Sequence, residues 1–382
     1  MINSLKDEIN FLFSGRGMPY EKVSLMVAVV VSVVFTIVFG NNYIADAPVA
    51  VIDLDNSRYS HELIEKFNSS PYIKISSVVN TPTDPKSLFY HDKNVAVVYL
   101  PENLEKNRYT NEAGTIGVFY DNTNTAQSAG IKSALNEIVA MDNAQAGQAV
   151  SGGRSGGQIS LADRNLFNPV ESSSNGETQA FLFFFSTMFF TFATIGMIPR
   201  LRMEGKLAVI LQNGSPFELM IRVVPYGCCW LTGIAVGLVI LRLFGDMTLS
   251  GNIVLFLFTQ IIYILTVGMM SLMMGWTAAN PGIASSRMIL FIPGGFILGG
   301  AAGPLPILSE WVRVVSHFFP LIWEFELVRD IIARGAGFMD FARGFGEFLL
   351  YVGVVAIVFC FVFHKASANL AKTKVAVAAN EE

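Results

Sequence analysis

Six apolar runs, one before and five after a long polar stretch, constrain this chain more than any other feature. They cover residues 23–39, 180–198, 223–243, 253–276, 288–302 and 348–363. A helix needs about 20 mostly apolar residues to cross the hydrocarbon of a bilayer. The pattern therefore predicts an α-helical polytopic membrane protein with six transmembrane helices and one large inserted polar domain. Composition agrees: 52% of the chain is hydrophobic and only 15% charged, against roughly 25% charged for soluble domains. A net charge of −4 gives no reason to expect a nucleic-acid partner. The first run is long enough to span, and no small-residue cleavage site clearly follows it.

Positive charge orients the spans. Lys6, Arg16 and Lys22 precede the first run, Arg200, Arg202, Lys206 and Arg222 crowd the loop after the second, and Lys365, Lys372 and Lys374 follow the sixth. With six spans these segments share one side, so both termini are expected in the cytoplasm, in the inner (cytoplasmic) membrane of a two-membrane cell. The expected organisation is an amphipathic elbow helix over 1–22, with Ile2, Leu5, Ile9 and Phe13 on an apolar stripe opposite Lys6 and Glu8; a disordered tail is the alternative. A first span follows at 23–40, then an extracytoplasmic α/β domain at 41–178. A five-span core occupies 179–364, and a cytoplasmic tail 365–382.

The outer segment alternates strand-like and helical runs. Strands are predicted at 48–55, 72–79, 95–101 and 115–121, and helices at 60–68 and 125–150, with Asp84 and Pro85 opening a further helix. Asp53, Asp55 and Asp121 end strand-like runs, and His61 and His91 are the histidines of this region. They read either as a polar site or as turn caps and solvated side chains; no C-x-x-C, H-E-x-x-H or G-x-S-x-G pattern accompanies them. Cys228, Cys229 and Cys360 lie in apolar runs, so the outer domain needs no disulfide. The stretch 151–158 is rich in Gly and Ser and reads as a linker.

Ionisable groups inside spans mark proton relays and ion paths. The second run has none, the third has Arg242 at its outer edge, and the fourth has Gln260 at most. Energy is therefore expected from a cytoplasmic partner, received by the loop 200–222. There Leu207, Ile210 and Leu211 form an apolar edge at helical spacing that a soluble protein could grip. An ordinary topogenic loop is the other reading.

The loop residues Arg202-Met203-Glu204-Gly205-Lys206-Leu207, then Leu211, then Pro216-Phe217-Glu218 resemble the coupling motif E-R-E-x-G-T-x-E-x-L…P-x-x-x-x-E of ABC-2-type (type V) exporter permeases. Arg202 and Leu207 stand where that pattern has Glu and Thr. The stretches "VAVIDLDNSRYSHELIEKFNSSPYIKI", "VAVVYLPENLEKNRYTNEAGTIGVFYDNTN", "RNLFNPV" and "FILGGAAGPLPILSEWVRVVSHFFPLIWEFELVRDIIARG" resemble the same family in the same order.

The resemblance implies a permease subunit with no catalysis of its own. ATP and Mg would act in cytoplasmic ABC ATPase subunits. A second permease chain, identical or similar, would complete the pathway, and a periplasmic adaptor is a further candidate partner. The segment 303–346, with Gly303, Pro304, Pro306, Trp311, Pro320, Glu324 and Arg329, is expected as an outer re-entrant or interfacial gate, with Trp323, Leu327 and Ile331 on one face; a simple external loop is the alternative. Phe184, Phe185, Met188 and Phe189 are expected either to line a path for hydrophobic or amphipathic cargo such as a drug or lipid, or to face lipid. A metal site is not expected. An ion-coupled secondary transporter and an extracytoplasmic ligand receptor remain as alternatives.

The tetrapeptide Ser155-Gly156-Gly157-Gln158 matches the end of the signature by which ABC ATPases touch the γ-phosphate. The chain has no G-x-x-x-x-G-K-[ST] loop to hold the nucleotide, and the orientation puts the tetrapeptide outside, so it reads as linker.

Overall fold

The computed structural model describes residues 2–38, 47–90, 93–110, 112–121, 125–149, 159–167, 175–299, 301 and 310–378. The tetrapeptide 155–158, His91, Gly303, Pro304 and Pro306 lie outside them.

Two short helices open the chain's helical body, α1 (Ile2–Phe13) and α2 (Tyr20–Val38). A polar domain follows: β1 (Ala47–Asp53), α3 (Arg58–Asn68), β2 (Ile73–Val79), β3 (Ala96–Leu100), α4 (Leu104–Thr110), β4 (Gly114–Asp121), α5 (Thr125–Ala149) and β5 (Ile159–Phe167). The helical body resumes with α6 (Glu177–Ile195), α7 (Met197–Met203), α8 (Lys206–Asn213), α9 (Pro216–Phe244) and α10 (Ile253–Gly275). It ends with α11 (Pro281–Ser286), α12 (Met288–Leu298), α13 (Glu310–Ser316), α14 (Pro320–Val328), a π-helical turn at Arg329–Ala333, and α15 (Phe338–Ala378).

The sheet runs β2-β1-β3-β4-β5, with β3 and β4 antiparallel and the other pairs parallel. Every residue of β1 is buried, as expected of a central strand covered on both faces. Leu63 and Phe67 from α3 and Ile131 and Leu135 from α5 close one face. Phe89 packs on the other. Asp84 caps only a 3₁₀ turn at Pro85–Leu88, not an α-helix. The strand β5 was not expected from the sequence. It pairs in parallel with β4, and its run of Asp163, Arg164 and Asn165 lacks the apolar alternation that marks a strand.

Asp53 and Asp55 are structural. Asp53 is buried and accepts from the Ser60 hydroxyl at 2.7 Å and the Asn56 N–H at 2.9 Å. Asp55 accepts from the N–H groups of Leu104 and Glu105, opening α4. His61 is largely exposed and 4.0 Å from Asp53.

In the helical body, five helical stretches are long and apolar enough to cross a membrane among the described residues: Glu177–Met203, Pro216–Phe244, Ile253–Gly275, Pro281–Leu298 and Phe338–Lys372. The expected first span corresponds to α2, which packs lengthwise on α6 and α9. It exposes Met26, Val29, Val30, Val33 and Val34 on its far face. Backbones approach closely where small residues permit it. A Cβ on Gly275 of α10 would lie 2.1 Å from the Ile195 carbonyl oxygen of α6.

Hydrogen bonds and ion pairs sort the connections into two ends. At one, Arg202 donates to the carbonyls of Ala278 and Trp276, Ser367 donates to the Leu211 carbonyl at 2.6 Å, and Lys206 pairs with Asp7 at 3.3 Å. This end gathers α1, the α7–α8 loop, the 276–280 turn and the last part of α15. At the other, Asn175 accepts from Thr248, and the Ser250 N–H donates to the Ile332 carbonyl. There Arg334 bridges Asp330 and Asp121, both at 2.7 Å. Asp121 ends β4, so it is no turn cap; it ties the sheet domain to the helical body.

The segment after α12 differs from its expected form. The face carrying Trp323, Leu327 and Ile331 is buried as the spacing predicts, but Leu321, Ile322, Glu324, Phe325 and Val328 are buried too. Thus α14 is enclosed by α10, α12 and α6, while α13, with Trp311 69% exposed, keeps an exposed face.

Replacing Gly275 with Val forces α6 and α10 apart at a backbone carbonyl and is expected to cost about 1–3 kcal/mol, the usual penalty of overpacking. Gly353→Ala, where nothing lies within 4 Å, is the control and is expected to leave thermal unfolding in detergent unchanged.

Candidate coupling surface

The loop between α6 and α9 is a double turn built by glycine and proline. Gly205 has φ +72°, a left-handed conformation that side chains other than glycine adopt at a cost. It ends α7 and starts α8. Gly214 ends α8, and Pro216 occupies the first turn of α9, where its missing N–H is not needed.

The apolar edge read from the sequence faces the wrong way for a partner. Leu207, Ile210 and Leu211 are all buried, because α8 lies against α15 and α7. Pro216 is buried as well. The apolar groups exposed on this loop are Met203 (70%), Val209 (60%) and Phe217 (69%). Arg202, Glu204, Gly205 and Lys206 are exposed beside them. Helical periodicity located an apolar face, but α15 covers it.

Beneath this surface lies an ion network centred on α1. Glu8 is 1% exposed. Its carboxylate accepts from Arg200 Nη2 at 2.5 and 2.7 Å, from Arg222 Nη1 at 3.4 Å and from the Tyr226 hydroxyl at 2.9 Å. The Arg200 guanidinium also stacks over the Phe11 ring, 3.5 Å from its centroid. Ser4 donates to Glu218 at 2.5 Å. Lys206 lies 3.2 Å from Glu204 and 3.3 Å from Asp7. Partial burial alone would lower the Lys206 ammonium, but hydrogen bonds to Glu204 and Asp7 outweigh it and hold the group above its ordinary range.

The helix α1 keeps the expected apolar stripe exposed and buries another side against the protein. Ser4, Glu8 and Leu12, spaced four residues apart, face the protein. Ile2 and Phe13 are exposed at 71% and 66% and Ile9 at 38%. A lipid interface would cover that stripe. The sequence signal missed here was the pairing of one acidic residue in α1 with Arg200 and Arg222 far along the chain.

The remaining expected site residues separate. Phe184 is buried, and Phe185, Met188 and Phe189 are half-buried. Phe184 meets Phe296 of α12 at 4.4 Å between ring centres, and Phe296 meets Phe325 of α14 at 6.2 Å. Phe181 stacks on Phe35 of α2 at 4.3 Å. One face of α6 thus carries an aromatic ladder linking α2, α12 and α14. Pro320 starts α14, Glu324 lies within it, and Arg329 is half-buried at its end. None of these touches the coupling surface. Among the described residues, no group of three or more His, Cys, Asp or Glu side chains could hold a metal ion.

Glu8→Ala strands Arg200 and Arg222 in a buried site. Breaking such a pair costs about 3–5 kcal/mol. A lower unfolding temperature in detergent is expected, with Glu8→Gln intermediate because it still accepts from Tyr226.

No solved structure matches the chain. A probable multidrug ABC transporter permease, YbhR of Escherichia coli K12, is 20% identical over 322 residues, which cover 83% of this chain and 86% of that protein. YbhR of Escherichia coli O157:H7 matches to the same extent. The family model described as ABC-2 family transporter protein matches residues 23–364. With most of its length so matched, this chain belongs to the ABC-2 family of transporter proteins.

Proposed function

We propose that the chain is the membrane-spanning subunit of an ATP-driven exporter, and that Met203, Val209 and Phe217 form the contact for a cytoplasmic ATPase. The carrying observation is that exposed apolar trio on a loop whose Leu207, Ile210, Leu211 and Leu219 are turned inward. Exposed aromatic and Met side chains bordered by charge are typical of contact centres between proteins. The charged border is Arg202, Glu204 and Lys206. Glu218 supports the surface from behind through Ser4.

In this reading α2 is the first of six spans, the sheet domain lies outside the cell membrane, and both termini are cytoplasmic. The positive-inside pattern supports it, since the end of the molecule holding α1, the coupling loop and the last turns of α15 is the basic one. ATP and Mg²⁺ belong to the partner. A push on α7 and α8 passes into α6 and α9, which continue from them, and into α10 through Arg202 and the 276–280 turn. A second permease chain, identical or similar, faces the aromatic ladder of α6. Cargo of hydrophobic or amphipathic character moves along that ladder and leaves beneath or through the outer domains. A periplasmic adaptor would dock on the sheet domain. The relative's printed name, a probable multidrug permease, supports this cargo class.

Purification of the intact complex from mild detergent tests the reading. A stoichiometric ATPase is expected in the wild-type preparation. Phe217→Asp combined with Met203→Asp is expected to lower its recovery at least tenfold, the loss of roughly 1.4 kcal/mol or more of contact energy. Wild-type permease purified without any ATPase would contradict the proposal. So would transport by the permease alone under a pH gradient.

A further inference from the structure

Six carboxylates in the described residues are buried: Glu8, Asp53, Asp121, Asp142, Glu324 and Asp330. Four of them meet a cation at close range. Glu8 meets Arg200, Asp121 and Asp330 share Arg334, and Asp142 meets Lys66 at 2.5 Å and Arg108 at 2.6 Å. Asp53 is held by hydroxyl and N–H donors. Glu324 differs from all of them. It is fully buried, yet neither carboxyl oxygen has a hydrogen-bond partner within bonding geometry.

Its surroundings are polar at one point and aromatic elsewhere. Gln260 of α10 is fully buried beside it, and both atoms of its amide are likewise without a partner. Tyr263, one turn further along α10, interacts electrostatically with Glu324 and shares a 3.1 Å hydrogen bond with Thr187 of α6. Tyr351 of α15 is a further titratable side chain next to this cluster. Phe325 joins the aromatic ladder through Phe296 and Phe184.

A desolvated carboxyl without a cation is held neutral. Leaving a carboxyl and a carboxamide both unsatisfied in a packed helical body costs free energy. A purely structural position would be filled at lower cost by Leu or Met.

We propose that Glu324, with Gln260 beside it, recognises the cationic centre of a lipophilic cargo, such as a quaternary ammonium or phosphonium ion. The inference rests on the exporter reading and names its cargo class. When α12 and α14 part, the cation enters along the aromatic ladder. The carboxyl O–H bond breaks, the proton leaves to water, and the carboxylate pairs with the cation. The ring faces of the ladder favour the same charge. Because a proton and the cargo compete for one carboxylate, cation binding strengthens as pH rises.

The test uses the permease with its ATPase in lipid nanodiscs and two probes of similar shape, tetraphenylphosphonium and the neutral triphenylphosphine oxide. Equilibrium dialysis at pH 6 and pH 8.5 reads binding. Wild type is expected to bind the phosphonium roughly tenfold or more tighter at pH 8.5 than at pH 6, with no pH effect on the neutral probe. Glu324→Gln, isosteric with the protonated acid, is expected to fold normally and to erase both the pH effect and the preference for the cation. Glu324→Asp is expected to keep both. A Gln variant that still prefers the cation, or a wild type that binds both probes equally at both pH values, overturns the cation site. The exporter reading would survive that result so long as the ATPase still copurifies, and loss of the ATPase would leave the dialysis result standing.

Discussion

The carboxylate of Glu8 holds together parts of the chain that lie about two hundred residues apart in sequence. It receives Arg200 from the end of the first long core helix and Arg222 and Tyr226 from the start of the next. A buried ion cluster of this kind adds little net stability over an apolar core, because desolvation offsets most of the attraction. What it imposes is geometry. Two guanidinium groups and a phenol must converge on one carboxylate, so α1, α7 and α9 have one arrangement that satisfies them. The helix α1 becomes a clamp across the base of the α7–α8 loop.

A comparable tie operates at the opposite end. Arg334 joins Asp121 at the end of β4 to Asp330 in the π-helical turn. The backbone of that turn also meets the 250 loop between α9 and α10. The sheet domain is thus anchored to the segment that follows α14. Through the buried Arg334 guanidinium the sheet domain is tied to the part of the helical body that holds α14. Between these two ties the buried side chains among the described residues of the helical body are apolar apart from hydroxyl and amide groups and the carboxyl of Glu324.

Much of this was legible in the sequence because it rests on periodicity and composition. The apolar runs located the helices of the body, and four of the five strands followed from β-branched alternation. The loop glycines and Pro216 fell where turns were needed. The failures share a cause: they concern which neighbour covers a face. The stripe of Leu207, Ile210 and Leu211 was real, but α15 packs on it. Local sequence also gave no sign that α14 would be enclosed. A nine-residue helix reads as interfacial when its partners α10 and α12 are unknown, and so Glu324 did not count among the groups inside the body. The strand β5 was missed because its polar residues carry no strand pattern and its pairing is with a distant partner.

The account depends on the α7–α8 loop facing the cytoplasm and bearing the load of an ATPase. Side-resolved cysteine labelling tests it most directly, after replacement of Cys228, Cys229 and Cys360. A single cysteine is placed at Met203, which is exposed, or at Lys74 on the sheet domain, also exposed. With an impermeant maleimide, Met203→Cys is expected to react only from the cytoplasmic side and to be shielded when the ATPase is bound, while Lys74→Cys reacts only from the other side. Labelling of Met203→Cys from outside, or equal labelling with and without the ATPase, would contradict it.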